Sequence, residues 1–272
     1  MTRTWSFTEA EFAMLWQDAT GDRLPAPFLY VSPATSPEEQ RALTQATTKS
    51  LREKMTREVD GIIETIAHPD LTLSVYGGNE SNPMRAESLI RVLAARKGER
   101  GYLISQLPGD SYFHRGGYLV TECDPIRLPD AIVAAIPPAA AGGRGEVELT
   151  SSDAHTILHR DASYADRVEY TDTQSVVAVN DDRVSAVSAR FLRAPASISG
   201  EIQITQGSSV FGPRGIARYT VGWRDLEDDG RYVIADRPAI AVGADTNRFV
   251  SLLNARVAAV IRAIKEEREQ LC

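Results

Sequence analysis

The sequence predicts an α/β (α+β) protein in which two quasi-symmetric halves share a central, largely antiparallel sheet flanked by helices. Three observations predict this fold. Apolar and polar residues alternate in both halves, which indicates strands. Each half runs through helix-rich sequence, then hairpin-like strands, then a closing helix. A chain of 272 residues is also long enough to bury a substantial core.

The two halves are predicted to meet at a short connector inside one compact domain. We expect an N-terminal half at residues 1–136, a connector at 137–145 and a C-terminal half at 146–272. The connector is rich in Pro, Ala and Gly but is too short for a long flexible tether. A weak internal repeat supports the division, since residues 5–11 and 147–153 each read as a short extended segment entering a capped helix.

Helix signals dominate the start of the first half. Thr8 and Glu11 form a capping-box pattern, and Gly21 offers a stop. Ser36 followed by a proline and two glutamates predicts the start of a long polar helix. The remaining predicted elements of this half are a helix with apolar positions Val59, Ile62, Ile63 and Ile66, a strand with Leu71, Leu73 and Val75, strands within 85–123, and a short helix near 129–136.

The second half contains the most informative segment, residues 208–236, which predicts a β-hairpin. An acidic turn ends in Asp229-Gly230, and the glycine tolerates the positive φ that such turns need. Strand alternation places Tyr219 and Trp223 on one face and Arg218 on the other, so only one face is free to meet a partner. We expect Arg218 to be exposed and leave Trp223 open between core and contact.

Other patterns of this half predict a helix, a strand and a terminal helix. The helix carries Val184, Val187 and Phe191, and the strand alternates through Ile198, Gly200, Ile202 and Ile204. The terminal helix has Val257, Val260, Ile261 and Ile264 on one face.

Composition excludes several classes of function. A net charge of −7 and a sequence pI near 5.3 argue against nucleic-acid binding, which needs a concentrated basic surface. The two cysteines, Cys123 and Cys272, are typical of a protein of the reducing cytosol. No stretch has the length and apolarity of a signal peptide or a membrane-spanning helix. We therefore predict a cytoplasmic protein that does not insert into membranes.

One cluster of residues is a candidate for catalytic chemistry. His155 and His159 are four residues apart and Asp161 is near, so a metal-dependent or small-molecule enzyme built on these three residues is the alternative hypothesis. The zinc-protease pattern is missing, and a polar helix surface is the simpler interpretation. A calcium loop at 225–236 lacks the expected residues and helical flanks. We predict no enzyme activity and no cofactor.

Several short motifs, taken in order, resemble the EspG family of chaperones from actinobacterial type VII (ESX) secretion. The motifs that carry the resemblance are Phe7-Thr8-Glu9-Ala10-Glu11-Phe12, Leu15-Trp16, Leu24-Pro25-Ala26-Pro27, Pro37-Glu38-Glu39, Ser209-Val210-Phe211-Gly212, Val221-Gly222-Trp223-Arg224-Asp225 and Gly230-Arg231-Tyr232. The chain departs from the family where Asp225-Leu226 replaces an Asp-Thr pair and where 159–180 has no clear counterpart. The resemblance covers almost the whole length.

The resemblance implies a noncatalytic function. A chaperone of this family binds PE/PPE-type secretion substrate heterodimers, keeps them soluble and targets them for export. The family binds through its central sheet and the helical bundle of its second half, which implies partner contacts at Phe211, Arg218, Tyr219, Trp223 and Tyr232. Aromatic side chains and Arg suit this role because they combine a large contact area with a polar group. Monomer and homodimer both stay open.

Overall fold

A computed structural model describes residues 3–113, 116–158, 182–235 and 238–270 of the chain. Within these ranges, ten strands form one sheet and helices pack on both of its faces. All the strand pairs inside the sheet are antiparallel, so the predicted fold class is confirmed.

The first half supplies five strands and four α-helices in the described residues. Their bounds are β1 Thr4–Phe7, α1 Glu9–Thr20, α2 Pro37–Lys54, α3 Arg57–Ala67, β2 Leu71–Asn79, β3 Ile90–Lys97, β4 Arg100–Gln106, β5 Tyr118–Cys123 and α4 Leu128–Ala134. The capping box predicted for α1 is present, because Thr8 Oγ1 accepts from Glu11 N at 3.2 Å and Glu11 Oε2 accepts from Thr8 N at 2.8 Å.

The second half repeats the same plan as far as it is described. Its elements are β6 Glu146–Glu148, α5 Ser151–Leu158, α6 Asp182–Arg193, β7 Ala196–Gln206, β8 Arg218–Leu226, β9 Gly230–Ala235, β10 Ile240–Gly243 and α7 Thr246–Gln270. The predicted hairpin is β8 and β9, and Gly230 in its turn has a φ of 127°, which favours glycine.

The strand order shows how the halves join. Across the sheet the order is β1-β5-β4-β3-β2-β7-β8-β9-β10-β6, so β2 of the first half pairs with β7 of the second half at the centre. Each half runs outward from this seam in the same sequence, ending on its own first strand. The division of the chain at 137–145 stays a prediction, and the connector itself is held to the sheet by two backbone hydrogen bonds with Arg231.

The two faces of the sheet are covered differently. On one face, which we call the α7 face, α4 and α7 pack over the seam through residues such as Leu73, Ile204 and Phe249. On the other face, α1 and α3 pack on β3, β4 and β5, while α5 and α6 pack near the opposite end of the sheet. The seam strands lie between these two helix groups, which leaves the candidate site at the middle of the molecule.

Candidate partner-binding site

The middle of the second face is a shallow polar strip, which we call the trough. Its floor consists of Thr72, Ser74 and Tyr76 from β2 and Glu201, Gln203 and Thr205 from β7, paired across the seam. All six residues are half-buried in the described structure. Their apolar strand neighbours Leu73, Val75, Ile202 and Ile204 point to the α7 face and are fully buried, as period-two alternation requires.

Strand β8 extends the floor of the trough at its lower end, where β7 ends. Thr220 pairs with Gln203, and Arg218 pairs with Thr205, so both lie on the trough face. Further along β8, α5 covers the strand: a Cβ placed on Gly222 would lie 3.0 Å from Leu158 Cδ2. The trough therefore opens toward Arg218 and narrows under α5.

A cavity of about 220 Å³ occupies the upper end of the trough, where β2 ends. Its walls come from the seam strands and from the segment between β2 and β3, and include Tyr76, Glu80, Pro83, Leu89 and Glu201. Apolar walls with two carboxylates make this a place where a partner side chain can be held.

Arg224 fixes the wall of that cavity. Its guanidinium donates to both carboxylate oxygens of Glu80 at 3.0–3.2 Å. It also donates to the Phe191 and Ala194 carbonyls at 2.6 and 2.8 Å, at the end of α6. Arg224 is only 2% exposed, so β8, α6 and the β2–β3 segment are joined by one buried, fully paired cation.

Exposed apolar side chains stand near both ends of the seam. Met84 (54% exposed) and Phe113 (48%) lie on connections at the upper end. Val210 (52%) and Phe211 (61%) lie on the β7–β8 connection at the lower end. Large exposed apolar groups close to a polar surface are typical of protein contact sites.

The five residues that the family resemblance implies for partner contact differ in how exposed they are. Arg218 is exposed, as expected, and Phe211 is the most exposed of the aromatic residues in that set. Phe211 sits in a segment anchored to α7, since Glu267 accepts hydrogen bonds from Ser209 Oγ and Val210 N. Tyr219 faces α7 and is half-buried, with the Arg256 guanidinium 5.7 Å from its ring centroid.

Trp223 and Tyr232 lie in the core, so neither side chain is available to touch a partner in this structure. Trp223 is 0% exposed, and its ring lies on the two seam glycines: a Cβ on Gly200 would sit 2.3 Å from Trp223 Cη2, and one on Gly77 would sit 2.7 Å from it. These glycines leave the space that the indole fills, which is why the ring points inward at the join of the two halves.

Tyr232 is buried by the connector and by α6. Its hydroxyl donates to Asp229 Oδ2 at 2.6 Å and accepts from Arg144 N at 2.8 Å. Burial and the hydrogen bond to Asp229 raise the pKa of Tyr232, and the same bond together with one from Gly143 N lowers the pKa of Asp229. Tyr232 therefore ties the connector to the β8–β9 turn.

The acidic turn is neutralised by arginines. Asp225 is buried and accepts from Arg231 Nε and Nη2 at 2.7 Å each, while Arg144 Nε lies 2.9 Å from Asp229 Oδ2. Carboxylates engaged in this way are not arranged as calcium ligands. Over the ranges given above, no group of three His, Cys, Asp or Glu residues is placed to hold a metal.

The enzyme alternative concerns residues that are only partly described. His155 is exposed on α5, and His159 and Asp161 lie outside the described residues.

Sequence reasoning missed the trough itself. The signal was present, because β2 alternates Leu71, Leu73 and Val75 with polar residues and β7 does the same around Ile202 and Ile204. What the pattern does not give is the pairing of β2 with β7, which puts the two polar faces side by side. The Glu80–Arg224 pair spans 144 positions and has no local signature.

The fold and the trough define an α+β protein with a half-buried polar strip at the centre of its sheet, a surface that can receive another protein. The EspG family model matches residues 8–263, and the chain belongs to the EspG family. A solved structure, that of the Mycobacterium tuberculosis type VII secretion system chaperone EspG5 in complex with a PE25–PPE41 dimer, has the same fold. It superposes with a TM-score of 0.54 at 16% identity, covering 97% of this chain and 96% of that chain.

No curated protein matches this sequence. Among the helices in the described part of the chain, none combines the length and apolarity needed to cross a bilayer.

Proposed function

We propose that this chain is a cytosolic chaperone of type VII (ESX) secretion that binds a PE/PPE-type heterodimer, keeps it soluble and targets it for export. Membership of the EspG family supports the proposal, as does the similarity in fold to EspG5, which was solved with a PE25–PPE41 dimer. The observation in this chain that carries it is the half-exposed trough along the β2–β7 seam.

The trough has a suitable size for the end of a helical client. From Thr72 to Asn79, seven residue steps of ~3.3 Å each, the floor and the cavity at its upper end together extend about 23 Å along β2. A standard protein interface buries about 800 Å² on each partner, and a square patch of that area has a side close to this length. One end of a helical heterodimer therefore covers the trough from the cavity to Arg218.

The chemistry of the trough suits a soluble chaperone. Its floor is polar and tolerates water when no client is bound, while apolar groups such as Met84 and Phe211 stand near its ends. A client with an apolar tip buries these groups on binding, and the floor supplies hydrogen bonds that fix the register.

Among the residues suggested by the sequence, we assign direct contacts to Arg218 and Phe211. Arg218 lies on the trough face and is exposed, and Phe211 is 61% exposed on the connection between two of the strands that form the trough. Tyr219 contributes by packing beneath this end of the site. Trp223 and Tyr232 contribute through the core only, because both are 0% exposed.

The test is binding by a variant that fills the trough. Gln203 lies on the floor, and Gln203→Trp places a bulky side chain in the path of the client. Gln45→Trp, at an exposed position on α2, is the matched control. When a PE/PPE-type heterodimer from the same genome is co-expressed with the chain, we expect wild type and Q45W to co-elute with the heterodimer and Q203W to lose at least about tenfold in affinity.

The proposal fails if the wild-type chain gives no soluble complex with that heterodimer. If the complex forms and Q203W binds like Q45W, the chaperone function stands and the trough is not its site. Melting temperatures of both variants show whether either substitution acts through folding instead.

A further inference from the structure

One buried charge near the upper end of the trough has no carboxylate partner among the described residues. Arg91 on β3 is 2% exposed, and it pairs across the strands with Tyr76 on one side. Within the described ranges its Nε has no hydrogen-bond partner, and Nη1 reaches only Gln106 Oε1 at 3.5 Å, the outer limit of a hydrogen bond. No carboxylate in the described part of the chain forms an ion pair with this guanidinium.

The groups around Arg91 make this arrangement unusual. The guanidinium lies 4.7 Å from the Tyr112 ring centroid and 5.8 Å from that of Tyr76, so it is stacked between two aromatic rings. Stacking on aromatic faces stabilises a cation but does not satisfy its N–H donors. The Gln106 side chain is held in place by hydrogen bonds from its amide nitrogen to Leu29 O and the Tyr118 hydroxyl, and in this position its Oε1 lies 3.5 Å from Arg91 Nη1.

The other two buried arginines of the sheet show what a satisfied guanidinium looks like in this protein. Arg231 makes a bidentate pair with Asp225, and Arg224 makes one with Glu80. Arg91 is buried as deeply as either but lacks a carboxylate. A buried charge without a counter-ion costs stability, and natural proteins accept such costs mainly at functional sites.

The position of Arg91 relates this charge to the trough. Tyr76, its cross-strand neighbour, is both part of the trough floor and a wall of the upper cavity. Tyr112 is half-buried and is followed directly by Phe113, one of the exposed apolar residues at this end. Arg91 therefore lies at the edge of the surface that we assign to the client.

We propose that Arg91 receives a carboxylate from the bound client, so that a PE/PPE-type heterodimer that suits this chain carries an Asp or Glu side chain at the part of its tip that docks beside Tyr76 and Tyr112. This inference rests on the proposed function. It adds a charge requirement to client choice: Arg91 completes its hydrogen bonds only in the complex, where the carboxylate accepts from Nε and a terminal nitrogen.

The test measures stability and affinity for the same variants. Arg91→Met removes the charge at similar volume, Arg91→Lys keeps the charge but loses the planar donor set, and Arg231→Met is the control at an equally buried but paired arginine. We expect R91M to melt at or above the wild-type temperature and to bind the client at least about tenfold more weakly, because a charge-assisted hydrogen bond is lost. R91K is expected between R91M and wild type in affinity, and R231M is expected to melt lower.

The opposite pattern overturns the inference. Suppose that R91M melts below wild type or fails to fold, and that whichever of R91M and R91K does fold binds the client as wild type does. Arg91 then serves the fold through its aromatic contacts. Failure of the wild-type chain to bind any PE/PPE-type heterodimer is a different result that overturns the proposed function. In that case the melting temperatures of wild type and R91M are measured with added acetate. If acetate raises the melting temperature of the wild type but not that of R91M, the carboxylate site at Arg91 stands. If acetate raises neither, that site is rejected.

Discussion

Replacing Trp223 with alanine is expected to destabilise the fold strongly without removing a client contact. The side chain is 0% exposed and fills the space over Gly77 and Gly200 where the two halves meet. Burial of a Trp side chain removes about 150–250 Å² from water, which at ~25 cal/mol per Å² amounts to about 4–6 kcal/mol. Measured Trp-to-Ala losses in cores are about 3–5 kcal/mol, so we expect a loss in this range.

Such a loss is a large part of the ~5–15 kcal/mol that stabilises a typical protein. At about 2–4 °C per kcal/mol, the melting temperature of W223A should fall by roughly 6–20 °C. Thermal and urea unfolding followed by circular dichroism measure the change. Phe211→Ala is the control, because its side chain is 61% exposed and its loss should cost no more than about 0.5 kcal/mol of stability.

W223A and F211A should rank in the opposite order when client affinity is measured instead of stability. At a temperature where W223A is still folded, it should bind the heterodimer as wild type does, while F211A should bind more weakly. A W223A protein that melts like wild type and no longer binds the client would refute this reasoning, since it would make Trp223 a contact residue.

Three further predictions concern buried polar groups and packing. Arg224→Met should lower the free energy of unfolding by about 3–5 kcal/mol, because it removes one partner of the buried Arg224–Glu80 ion pair, and urea unfolding would measure it; an unchanged midpoint would contradict the pairing. Gly200→Ala should cost at least about 1–3 kcal/mol, since its Cβ would lie 2.3 Å from Trp223, and a melting temperature equal to wild type would count against that close packing. Burial alone would raise the pKa of Glu11, but hydrogen bonds from Lys54, Ser50 and Thr8 lower it below its ordinary 4.5. Glu11 therefore stabilises the fold above pH 4.5, and this stability is lost as pH falls through the lowered pKa, so the gap in unfolding free energy between wild type and Glu11→Gln should narrow in acid; a gap that widens would have the wrong sign.

Local features of this fold could be predicted from the sequence because their signals lie within a few residues. The Thr8–Glu11 capping box and the Asp229-Gly230 turn each involve neighbours along the chain, and both are present in the structure. The antiparallel sheet with two related halves also followed from strand alternation and element order. These patterns depend on backbone geometry that every chain shares.

The site could not be predicted to the same extent because it depends on long-range pairing. Alternation in β8 showed that Arg218 and Trp223 face opposite sides, but the choice of core face depends on Gly77 and Gly200, which lie on two other strands. Tyr232 was suggested as a contact, and its burial follows from the connector packing against it. Arg91 carries no local signal at all, since the lack of a counter-ion among the described residues is a property of its folded surroundings.

Hydroxyl-radical footprinting of the chain with and without its PE/PPE-type heterodimer tests the central claim most directly. The account predicts that oxidation of Tyr76, Met84 and Phe211 falls in the complex, because a client in the trough covers all three. Ile126, at 78% exposed and on the turn before α4, should be oxidised equally in both samples. Protection elsewhere on the surface, with Tyr76 and Met84 unchanged in a stable complex, would contradict the assignment of the trough as the client site.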